Sequence, residues 1–295
     1  MRKGDDTIHK FDACFIGGDL RQTYLAKLLS ENGFNVITYR LTKSELFNLN
    51  TTDDIDYAMN FSQLIITPIP FSKDKKHITD HIPDENKLTS EEFLLHLKST
   101  HCLTGGNLSK EAIEVCDKNN IPCLDLMKIE EIAMFNAIAT AEGAIAEAVM
   151  KSLGNLHGSK SLVLGYGKTG KVIASKLKAL NTDVTVGARS KIALAEAYVH
   201  GCDILALDML KNKISEFDYI FNTIPFVVLP KELLSVLPPQ TTIIDIASLP
   251  GGIDYEAAKE LNINAHLCLG IPGKYAPSAS AEILFNEILP LLKGK

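Results

Sequence analysis

The chain has 295 residues, a formal net charge of −6 at pH 7, 46% hydrophobic residues and 22% charged residues. These proportions match a folded globular protein and exclude a disordered or fibrous one. The acidic balance argues against a nucleic-acid-binding surface, which needs a basic face, so any anion site must be local. The length predicts two domains, each with its own core.

The cysteines and the apolar runs indicate a protein of a reducing compartment. No CxxC pair is present, which predicts buried free thiols and no zinc or other metal site. The amino-terminal sequence turns acidic before any apolar run, unlike a signal peptide. No run reaches the roughly 18 uninterrupted apolar residues of a membrane-spanning helix, so we expect a cytoplasmic protein that does not bind membranes. The cysteines are Cys14, Cys102, Cys116, Cys123, Cys202 and Cys268.

The first half of the chain alternates short apolar strands with helices. This order favours a parallel sheet with right-handed crossovers. The polar, aperiodic segment 72–87 is predicted to be an exposed loop. We predict strands within residues 12–19, 35–40, 63–71, 101–106 and 121–127, and helices at about residues 20–32, 90–97 and 109–118.

The turn after the first strand, GGDLRQ, places Gly18, Asp19 and Arg21 at the start of a helix. Backbone amides at a helix start attract anions. A cation there opposes the helix dipole, so an anionic ligand explains Arg21 better than helix stability does. An ordinary solvated arginine is the alternative. We identify Gly18, Asp19 and Arg21 as candidate substrate-binding residues.

Residues 129–153 are rich in alanine, with apolar residues at helical spacing, and predict a long helix that joins two domains. An interruption is expected near Gly143, because glycine costs about 1 kcal/mol relative to alanine inside a helix. Asn136, Thr140 and Gly143 share one face, which we expect to line an interdomain cleft, and Thr140 is a candidate substrate-binding residue. Glu142 stands out as the carboxylate of this apolar stretch and is a candidate acid or base; a solvated helix residue is the alternative.

The second half repeats the alternation of strands and helices, in a Rossmann-like order. We therefore predict an α/β protein of two Rossmann-like, doubly wound domains with parallel sheets, joined by a long helix, with a carboxyl-terminal helix that packs back on the amino-terminal domain. The predicted strands of this half are SLVL, TDVTVGAR, CDILAL, YIFNTIP, TTIIDIAS and NAHLCLG. Its first predicted helix ends at about residue 180. The other predicted helices span about residues 191–200, 209–215, 231–236, 255–261 and 280–292. The predicted boundaries are 1–130 for a substrate-side domain, 131–153 for the linker helix, 154–278 for a dinucleotide-binding domain and 279–295 for the closing helix.

A complete GxGxxG motif follows the strand SLVL and opens a helix. The first glycine makes a tight turn, the second lets the backbone approach a pyrophosphate, and the third lets the helix pack on the strand. The amides at the helix start supply donors for the phosphates. A glycine-rich packing turn is the alternative to a bound dinucleotide. The candidate cofactor residues here are Gly165, Tyr166, Gly167, Lys168, Thr169 and Gly170.

The next strand ends in VTVGARSK, where an NAD site would place an acidic ligand for the ribose hydroxyls. Ala188 stands there without an acid, followed by Arg189, Ser190 and Lys191. A guanidinium at this place can bind a 2'-phosphate, and the hydroxyl and ammonium add donors. We therefore favour NADP over NAD. The alternative is that Ser190 only caps the next helix and both cations are solvated.

Small polar residues end two later strands, at the edge where open α/β sheets bind ligands. The candidates for the nicotinamide and its ribose are Asn222, Thr223, Pro225, Ala247 and Ser248. Asx turns are the alternative reading of the Asn and Asp residues at these strand ends, including Asp245.

The loops after the last two strands, residues 248–252 and 270–277, are rich in proline and glycine. We expect them to present backbone amides beside the cofactor. Lys274 is a candidate for substrate binding and catalysis, and a plain connecting loop is the alternative. His266 is a candidate proton carrier, and a hydrogen-bonded core histidine is the alternative.

Seven segments occur in a characteristic order: GGDLRQ, TAEGAI, LGYGKTG, GARSK, FNTIP, DIASLPGG and LGIPGKYAPSA. On these segments the chain resembles the family of dipicolinate synthase A subunits over nearly its full length. The cofactor domain of that family is similar to those of D-2-hydroxyacid dehydrogenases and adenosylhomocysteinase. The resemblance implies a protein of the mother-cell cytoplasm of sporulating bacteria that works with the flavoprotein-like B subunit of dipicolinate synthase.

The resemblance also implies an NADP-linked oxidation of dihydrodipicolinate, or of its hydroxylated tetrahydro precursor, to dipicolinate. Such a substrate carries two carboxylates, for which Arg21 and Lys274 would be the anchors, one from each half. Glu142, His266 and water remain open as proton acceptors. The Arg, His and Glu set of the hydroxyacid dehydrogenases has no residue-by-residue match in this sequence.

Two other functions remain open at this point. The first is an NADP-dependent dehydrogenase of another small di-acid or imino acid. The second is a regulatory protein that binds NADP without turnover. In each case we expect a homo-oligomer.

Overall fold

The computed structural model describes residues 10–293. Residues 1–9, part of the segment that argues against a signal peptide, lie outside the described residues. The described chain divides into two compact units: unit 1 comprises residues 10–133 and 277–293, and unit 2 comprises residues 134–276. The division runs through the predicted linker helix, so this helix is not a separate segment.

Unit 1 contains a six-stranded parallel sheet in the order β3-β2-β1-β4-β5-β6. Short 3-10 helices span Ser44–Phe47 and Leu126–Lys128. The elements are β1 Phe11–Ile16, α1 Leu20–Glu31, β2 Val36–Tyr39, β3 Asn50–Thr51, α2 Ile55–Asn60, β4 Ser62–Ile66, α3 Ser90–Leu95, β5 Cys102–Gly105, α4 Lys110–Lys118 and β6 Cys123–Asp125.

Helix α5, Glu130–Lys151, begins in unit 1 and continues in unit 2. Unit 2 contains a second six-stranded parallel sheet, in the order β12-β11-β10-β7-β8-β9. Its elements are β7 Lys160–Leu164, α6 Lys168–Ala179, β8 Asp183–Ala188, α7 Lys191–Val199, β9 Asp203–Ala206, β10 Tyr219–Asn222, α8 Lys231–Leu234, β11 Thr242–Asp245, α9 Tyr255–Glu260, β12 Asn264–Leu267 and α10 Ile271–Tyr275. Helix α11, Pro277–Lys293, returns to unit 1.

The central strands are buried on both faces, which is why they read as nearly continuous apolar runs. In β1, Ala13 and Phe15 belong to the apolar layer that includes side chains of α1 and α11, whereas Cys14 and Ile16 belong to the opposite layer. In unit 2, Val163 lies in one core layer and its neighbours Leu162 and Leu164 lie in the other. The alternation follows from the two-residue period of a strand. The predicted fold class is confirmed, including the packing of α11 against α1.

Several local predictions were wrong. Strand β3 and helix α2 were not predicted; β3 has only two residues, both exposed. The predicted loop 270–277 contains α10, and the predicted helix 209–215 is replaced by two 3-10 helices. Helix α5 is uninterrupted at Gly143.

The segment 72–87 and the cysteines also differ from expectation. Ile78 and Thr79 are buried, so this segment is packed at its centre and exposed at its ends. Cys123 is exposed and Cys102 is half-buried, because Cys102 lies in β5 and Cys123 in β6, the two strands at one edge of the sheet. Within residues 10–293, none of the six cysteines forms a disulfide bond.

Among the described residues, α5 alone is long and apolar enough to cross a membrane. Core helices of soluble proteins meet the same test of length and composition. Ala141, Ala144 and Ala148 of this helix are buried in the core of unit 2. This packing accounts for its apolar composition.

Candidate functional site

The glycine turn between β7 and α6 packs closely on one side. Gly165 has a φ of +91°, a conformation that favours glycine, and a Cβ there would clash with Oγ1 of Thr223. A Cβ at Gly170 would clash with the carbonyl oxygen of Gly165. Thr223 also donates its hydroxyl proton to the carbonyl of Leu164 at 2.9 Å. The first and third glycines therefore allow β7, α6 and β10 to approach one another.

Gly167 has open space around it, whereas Gly165 and Gly170 are enclosed by neighbouring atoms. It is the N-cap of α6, with φ −81° and ψ −166°, and no atom lies within 4 Å of a Cβ placed on it. Lys168 and Thr169 follow as the first residues of the helix. Free amides of a first helical turn carry partial positive charge, and a bare backbone lets a phosphate reach them. The turn therefore fits the pyrophosphate of a dinucleotide.

The position of this turn in the sheet supports the same conclusion. The strand order of unit 2 reverses between the neighbouring strands β7 and β10. Open α/β sheets bind ligands at such a switch point, outside the carboxyl ends of the strands. The segments that leave these two ends, residues 165–170 and 223–225, are the predicted cofactor residues.

Tyr166 contributes packing to this turn. Its side chain is buried in the core of unit 2, with the ring near Lys171 Nζ, 5.9 Å from the ring centroid. Its hydroxyl lies 3.2 Å from Nδ1 of His200. Burial raises the pKa of this hydroxyl. A contact of Tyr166 with a cofactor would therefore involve its backbone.

The segment after β8 presents an exposed guanidinium. Arg189 is exposed, and its Cζ lies 4.4 Å from the centroid of the Phe226 ring, a cation–π contact. In the described part of the chain no carboxylate pairs with it. Ser190 Oγ accepts a hydrogen bond from the Ala193 amide at 3.3 Å, so it caps α7, while Lys191 begins that helix and is exposed. The alternative reading of Ser190 as a cap is thus correct.

No acid occupies the end of β8. Ala188 is the last residue of the strand and is 6% exposed. A Cβ on Gly187 would lie 2.9 Å from Leu164 Cδ2, so a larger side chain at that position meets the core. The place that an NAD site would give to a carboxylate is therefore filled by small residues.

Asp245, at the end of β11, is a buried acceptor of four hydrogen bonds. Its carboxylate accepts from Asn222 Nδ2 at 2.8 Å and from the Tyr255 hydroxyl at 2.7 Å. It also accepts from the amides of Ala247 at 3.0 Å and Gly252 at 2.7 Å. Burial and the hydrogen bond to Asp245 raise the pKa of Tyr255. The bond to Ala247 is an Asx turn, so the structural reading of Asp245 is correct.

The other predicted residues at these strand ends divide by exposure. The Asn222 side chain is buried and also hydrogen-bonds the backbone of Ile224. Its role in the structure is therefore to shape the loop after β10. Pro225 and Ser248 are exposed beside these loops, whereas the Ala247 side chain is buried.

Lys274 does not stand alone. Its Nζ lies 2.5 Å from Oε1 of Glu147, a 6%-exposed carboxylate on α5 that also faces Lys151 at 3.5 Å. Burial alone would raise the pKa of Glu147, but hydrogen bonds from Lys274 and Tyr275 outweigh it and hold the pKa below its usual value. The same pair raises the pKa of Lys274.

Glu147 also corrects the reading of α5 from sequence. The sequence predicts Glu142 as the candidate acid or base of this stretch, yet Glu142 is exposed and pairs with Lys176 at 2.7 Å. The buried carboxylate is Glu147. The sequence contains a sign of this, because Glu147 shares a helix face with the alanines Ala144 and Ala148, which are buried in the core. A charged residue on a buried face indicates a carboxylate with a partner.

Two further candidates have ordinary partners. Oγ1 of Thr140 donates to the carbonyl of Asn136, one turn earlier in the same helix, at 2.8 Å. Nε2 of His266 lies 2.6 Å from Oδ1 of Asn264. Desolvation, followed by the positive charge of Lys151, lowers the pKa of His266. The reading of His266 as a hydrogen-bonded histidine agrees with these contacts.

In unit 1, the turn after β1 buries its arginine. Asp19 is the N-cap of α1 and accepts from the Arg21 amide at 2.9 Å and from Arg21 Nη2 at 2.8 Å. Nη2 also donates to the carbonyl oxygen of Ile69. Arg21 is 4% exposed, so the solvated alternative is wrong. The unfavourable interaction of the Arg21 charge with the helix dipole is offset by Asp19. Gly18, which precedes Asp19, has a φ of +115°.

Sequence reasoning missed two residues close to this turn. Lys73 Nζ lies 3.5 Å from Nε2 of His81, and both are within electrostatic reach of Asp19 and Arg21. They lie in the segment 72–87, which was predicted to be an exposed loop. Only the folding of that segment onto unit 1 brings them to the carboxyl ends of β1 and β4.

Within residues 10–293, no group of three or more His, Cys, Asp or Glu side chains is arranged to hold a metal ion.

Comparison with known proteins adds a family and a fold. Residues 12–127 match the family model of the N-terminal domain of the dipicolinate synthase A subunit. The chain is 32% identical over 287 residues to the dipicolinate synthase A subunit of Bacillus subtilis (strain 168), covering 94% of each chain. It resembles the crystal structure of the dipicolinate synthase A subunit from Bacillus halodurans with a TM-score of 0.83 and 29% identity, covering 97% of this chain and 99% of that one.

An L-alanine dehydrogenase shares the fold at a greater distance. The TM-score is 0.60 with 13% identity, over 94% of this chain and 88% of that protein. At this identity the similarity shows a common two-domain α/β architecture.

Proposed function

The chain belongs to the family of dipicolinate synthase A subunits, and from this premise we propose that it oxidises dihydrodipicolinate to dipicolinate with NADP as hydride acceptor. The hydroxylated tetrahydro precursor would reach the same product after loss of water. The ring loses one hydride and one proton, and it becomes an aromatic pyridine that carries two carboxylates. Aromatisation supplies driving force, so the protein mainly has to bind and orient the reactants.

The observation that carries this proposal is the glycine turn of unit 2. Gly165 and Gly170 are enclosed and Gly167 is open, at the switch point of a parallel sheet. When bound, a nicotinamide dinucleotide supplies the ring carbon that accepts the hydride. The amides that begin α6 would hold its pyrophosphate, and the backbone of residues 223–225 would lie beside it.

The preference for NADP rests on Arg189. An exposed guanidinium without a carboxylate partner in the described chain, next to a strand end without an acid, suits a 2'-phosphate. Its contact with the Phe226 ring restrains the guanidinium, which limits the entropy lost when the phosphate binds. Lys191, one residue past the cap of α7, adds a second positive charge.

For the substrate we keep Arg21 of unit 1 as a proposed carboxylate anchor, and we keep Lys274 of unit 2 as a separate candidate for binding a carboxylate. Arg21 is already held by Asp19, which orients the guanidinium. Lys274 would exchange Glu147 for the substrate carboxylate. The contacts of Glu142 and Thr140 favour structural roles, so neither enters this proposal as a reacting group.

We further propose that the chain acts in the cytoplasm of the mother cell during sporulation, as a homo-oligomer and together with the B subunit of dipicolinate synthase. Family membership supports the partner, since the relatives are named as one lettered subunit of a synthase. An equilibrium sedimentation experiment with and without the B subunit would test both assemblies.

The test of the proposed activity is turnover by the purified chain. NADP and the tetrahydro precursor are supplied, alone and with the B subunit, and both NADPH and dipicolinate are measured. We expect both to appear together. Tight NADP binding without turnover in either mixture would contradict the proposal and favour a regulatory protein, and turnover with another di-acid alone would change the substrate.

A further inference from the structure

A basic cluster lies at the carboxyl ends of β1 and β4 in unit 1, and we define it as Arg21, Lys73 and His81. Lys73 Nζ and His81 Nε2 are 3.5 Å apart. The strand order of this sheet reverses between β1 and β4, so the cluster lies at its switch point. This is the edge at which open α/β sheets bind their ligands.

Arg21 and Lys73 are the cations of this cluster, and they differ in their acidic partners. Asp19 is the acid nearest to Arg21, and its two oxygens accept from Arg21 Nε at 3.0 Å and Nη2 at 2.8 Å. Asp80 pairs with Arg40 at 2.7 Å. In the described part of the chain, no carboxylate pairs with Lys73 or His81. The ammonium of Lys73 is therefore available to a bound anion, with Asp19 within electrostatic reach of both side chains.

The segment that carries the pair is fixed in place. The carbonyl oxygen of Thr79 accepts from the Gly18 amide at 2.9 Å, and the Thr79 amide donates to Phe71 at 3.0 Å. A Cβ on Gly17 would approach the Thr79 carbonyl oxygen to 2.7 Å, so the glycine turn and this segment are in close contact. Arg40 also holds this segment in place through its ion pair with Asp80.

Thr79 adds a second observation. Its Oγ1 is buried and has no hydrogen-bond partner within residues 10–293, although the residue is only 6% exposed. An unpaired buried hydroxyl is energetically costly, so such groups usually have a ligand or water as partner. It lies two residues from His81 and against the turn that carries Asp19.

We propose that Lys73 and His81 are the substrate-binding and proton-accepting pair of the enzyme, with Lys73 on one substrate carboxylate and His81 Nε2 as the base. This inference rests on the proposed function and names the proton acceptor that it leaves open. The ring C–H bond that releases the proton breaks, and its electron pair forms the new ring double bond. The hydride leaves with its own electron pair to NADP+, and the proton moves to His81 and then to solvent.

The electrostatics around His81 suit a base. Desolvation and the positive charge of Lys73 lower its pKa, Asp19 and Asp80 raise it, and Arg21 lowers it again. The net effect is a pKa below 6.5, so the imidazole is neutral and able to accept a proton at neutral pH. Desolvation also lowers the pKa of Lys73, which a substrate carboxylate would reverse.

The test uses the full chain and three variants: Lys73→Ala, His81→Gln and, as a matched control, Lys76→Ala from the same exposed stretch. Calorimetric titration with dipicolinate measures binding without turnover, and steady-state kinetics with NADP measures catalysis. We expect Lys73→Ala to weaken dipicolinate binding and raise KM by about tenfold or more. We expect His81→Gln to lower kcat at least about 100-fold with little change in KM, and to remove the acid limb of the pH profile.

The outcomes separate this inference from the proposed function. If the natural chain turns over and both variants behave like Lys76→Ala, the inference is wrong and the proposed function stands. If the natural chain neither binds dipicolinate nor reduces NADP, both are wrong. Lys73→Arg, which keeps the charge, should restore most binding, and thermal unfolding of each variant shows that a loss is not a folding defect.

Discussion

At the scale of single residues, three glycines of one motif have three different surroundings. Gly165 requires a positive φ, Gly170 requires space at a carbonyl oxygen, and Gly167 requires neither. Gly167 is a glycine for which the fold gives no steric reason. The space above it is therefore the part of the motif most directly linked to a ligand.

Gly167→Ala should separate ligand binding from folding. A methyl group there meets no protein atom within 4 Å, so the melting temperature should stay within about 2 °C, whereas dinucleotide binding should weaken at least about tenfold. Fluorescence titration and thermal unfolding measure the two effects. Gly170→Ala is the control that should destabilise the chain; a Gly167→Ala chain with unchanged affinity would exclude a pyrophosphate over this residue.

Arg189→Ala should weaken NADP far more than NAD. The lost charge-assisted hydrogen bonds to a 2'-phosphate are worth about 1.5–3 kcal/mol, which predicts a loss of about 10- to 100-fold for NADP alone. Titrations of both cofactors on both chains measure this, with Lys211→Ala as an exposed control from the same unit. Equal losses for the two cofactors would return Arg189 to a role in surface packing.

At the scale of elements, the alternation of strands and helices was predictable from the sequence, whereas the contacts between residues distant in the chain were not. Strands such as β7 and β11 are buried runs, and the GxGxxG motif lies within one turn, so both are visible in the sequence. The Glu147–Lys274 pair joins residues 127 positions apart. Lys73 and His81 were missed for a similar reason, since their segment has no period and its position depends on contacts with Gly17 and Gly18.

Gly143 in α5 shows how packing outweighs helix propensity. Alanine would gain about 1 kcal/mol of propensity, but its Cβ would clash with Ile271 Cγ2 and lie 2.7 Å from Tyr275 Cδ2. We therefore expect Gly143→Ala to lower the free energy of unfolding by about 1–3 kcal/mol. Urea denaturation measures this, and Gly154→Ala, whose nearest side-chain atom is 3.6 Å away, is the neutral control. Stabilisation by Gly143→Ala would show that α10 does not pack against this face.

The Glu147–Lys274 ion pair predicts a dependence of stability on pH. The folded-state pKa of Glu147 lies below 4.5, so its ionised form stabilises the fold above the unfolded pKa, and that contribution is lost as pH falls through the folded value. Glu147→Gln should therefore be less stable at pH 7 and should lose less stability on acidification below about pH 4.5. Urea unfolding at several pH values checks this. Parallel curves for the two chains would show that the pair does not contribute.

At the scale of the whole molecule, the two units have sheets of the same topology but different side chains at their switch points. Each sheet is parallel, six-stranded and reversed in order next to its first strand, β1 in unit 1 and β7 in unit 2. The switch point of unit 2 has Gly167, with open space above it, at the start of α6. That of unit 1 has the basic cluster, which suits an anionic substrate. The switch point of unit 2 is thus a candidate dinucleotide site, and the switch point of unit 1 is a candidate carboxylate site.

The proposed reaction requires one NADPH for each dipicolinate formed, which can be measured in a single reaction mixture. The purified chain receives NADP and the tetrahydro precursor, with the B subunit present, and NADPH and dipicolinate are quantified over time. We expect equal molar amounts of the two products, at a rate that falls at least about 100-fold for His81→Gln. Dipicolinate formed without NADPH, or NADPH formed without dipicolinate, would contradict the proposed reaction.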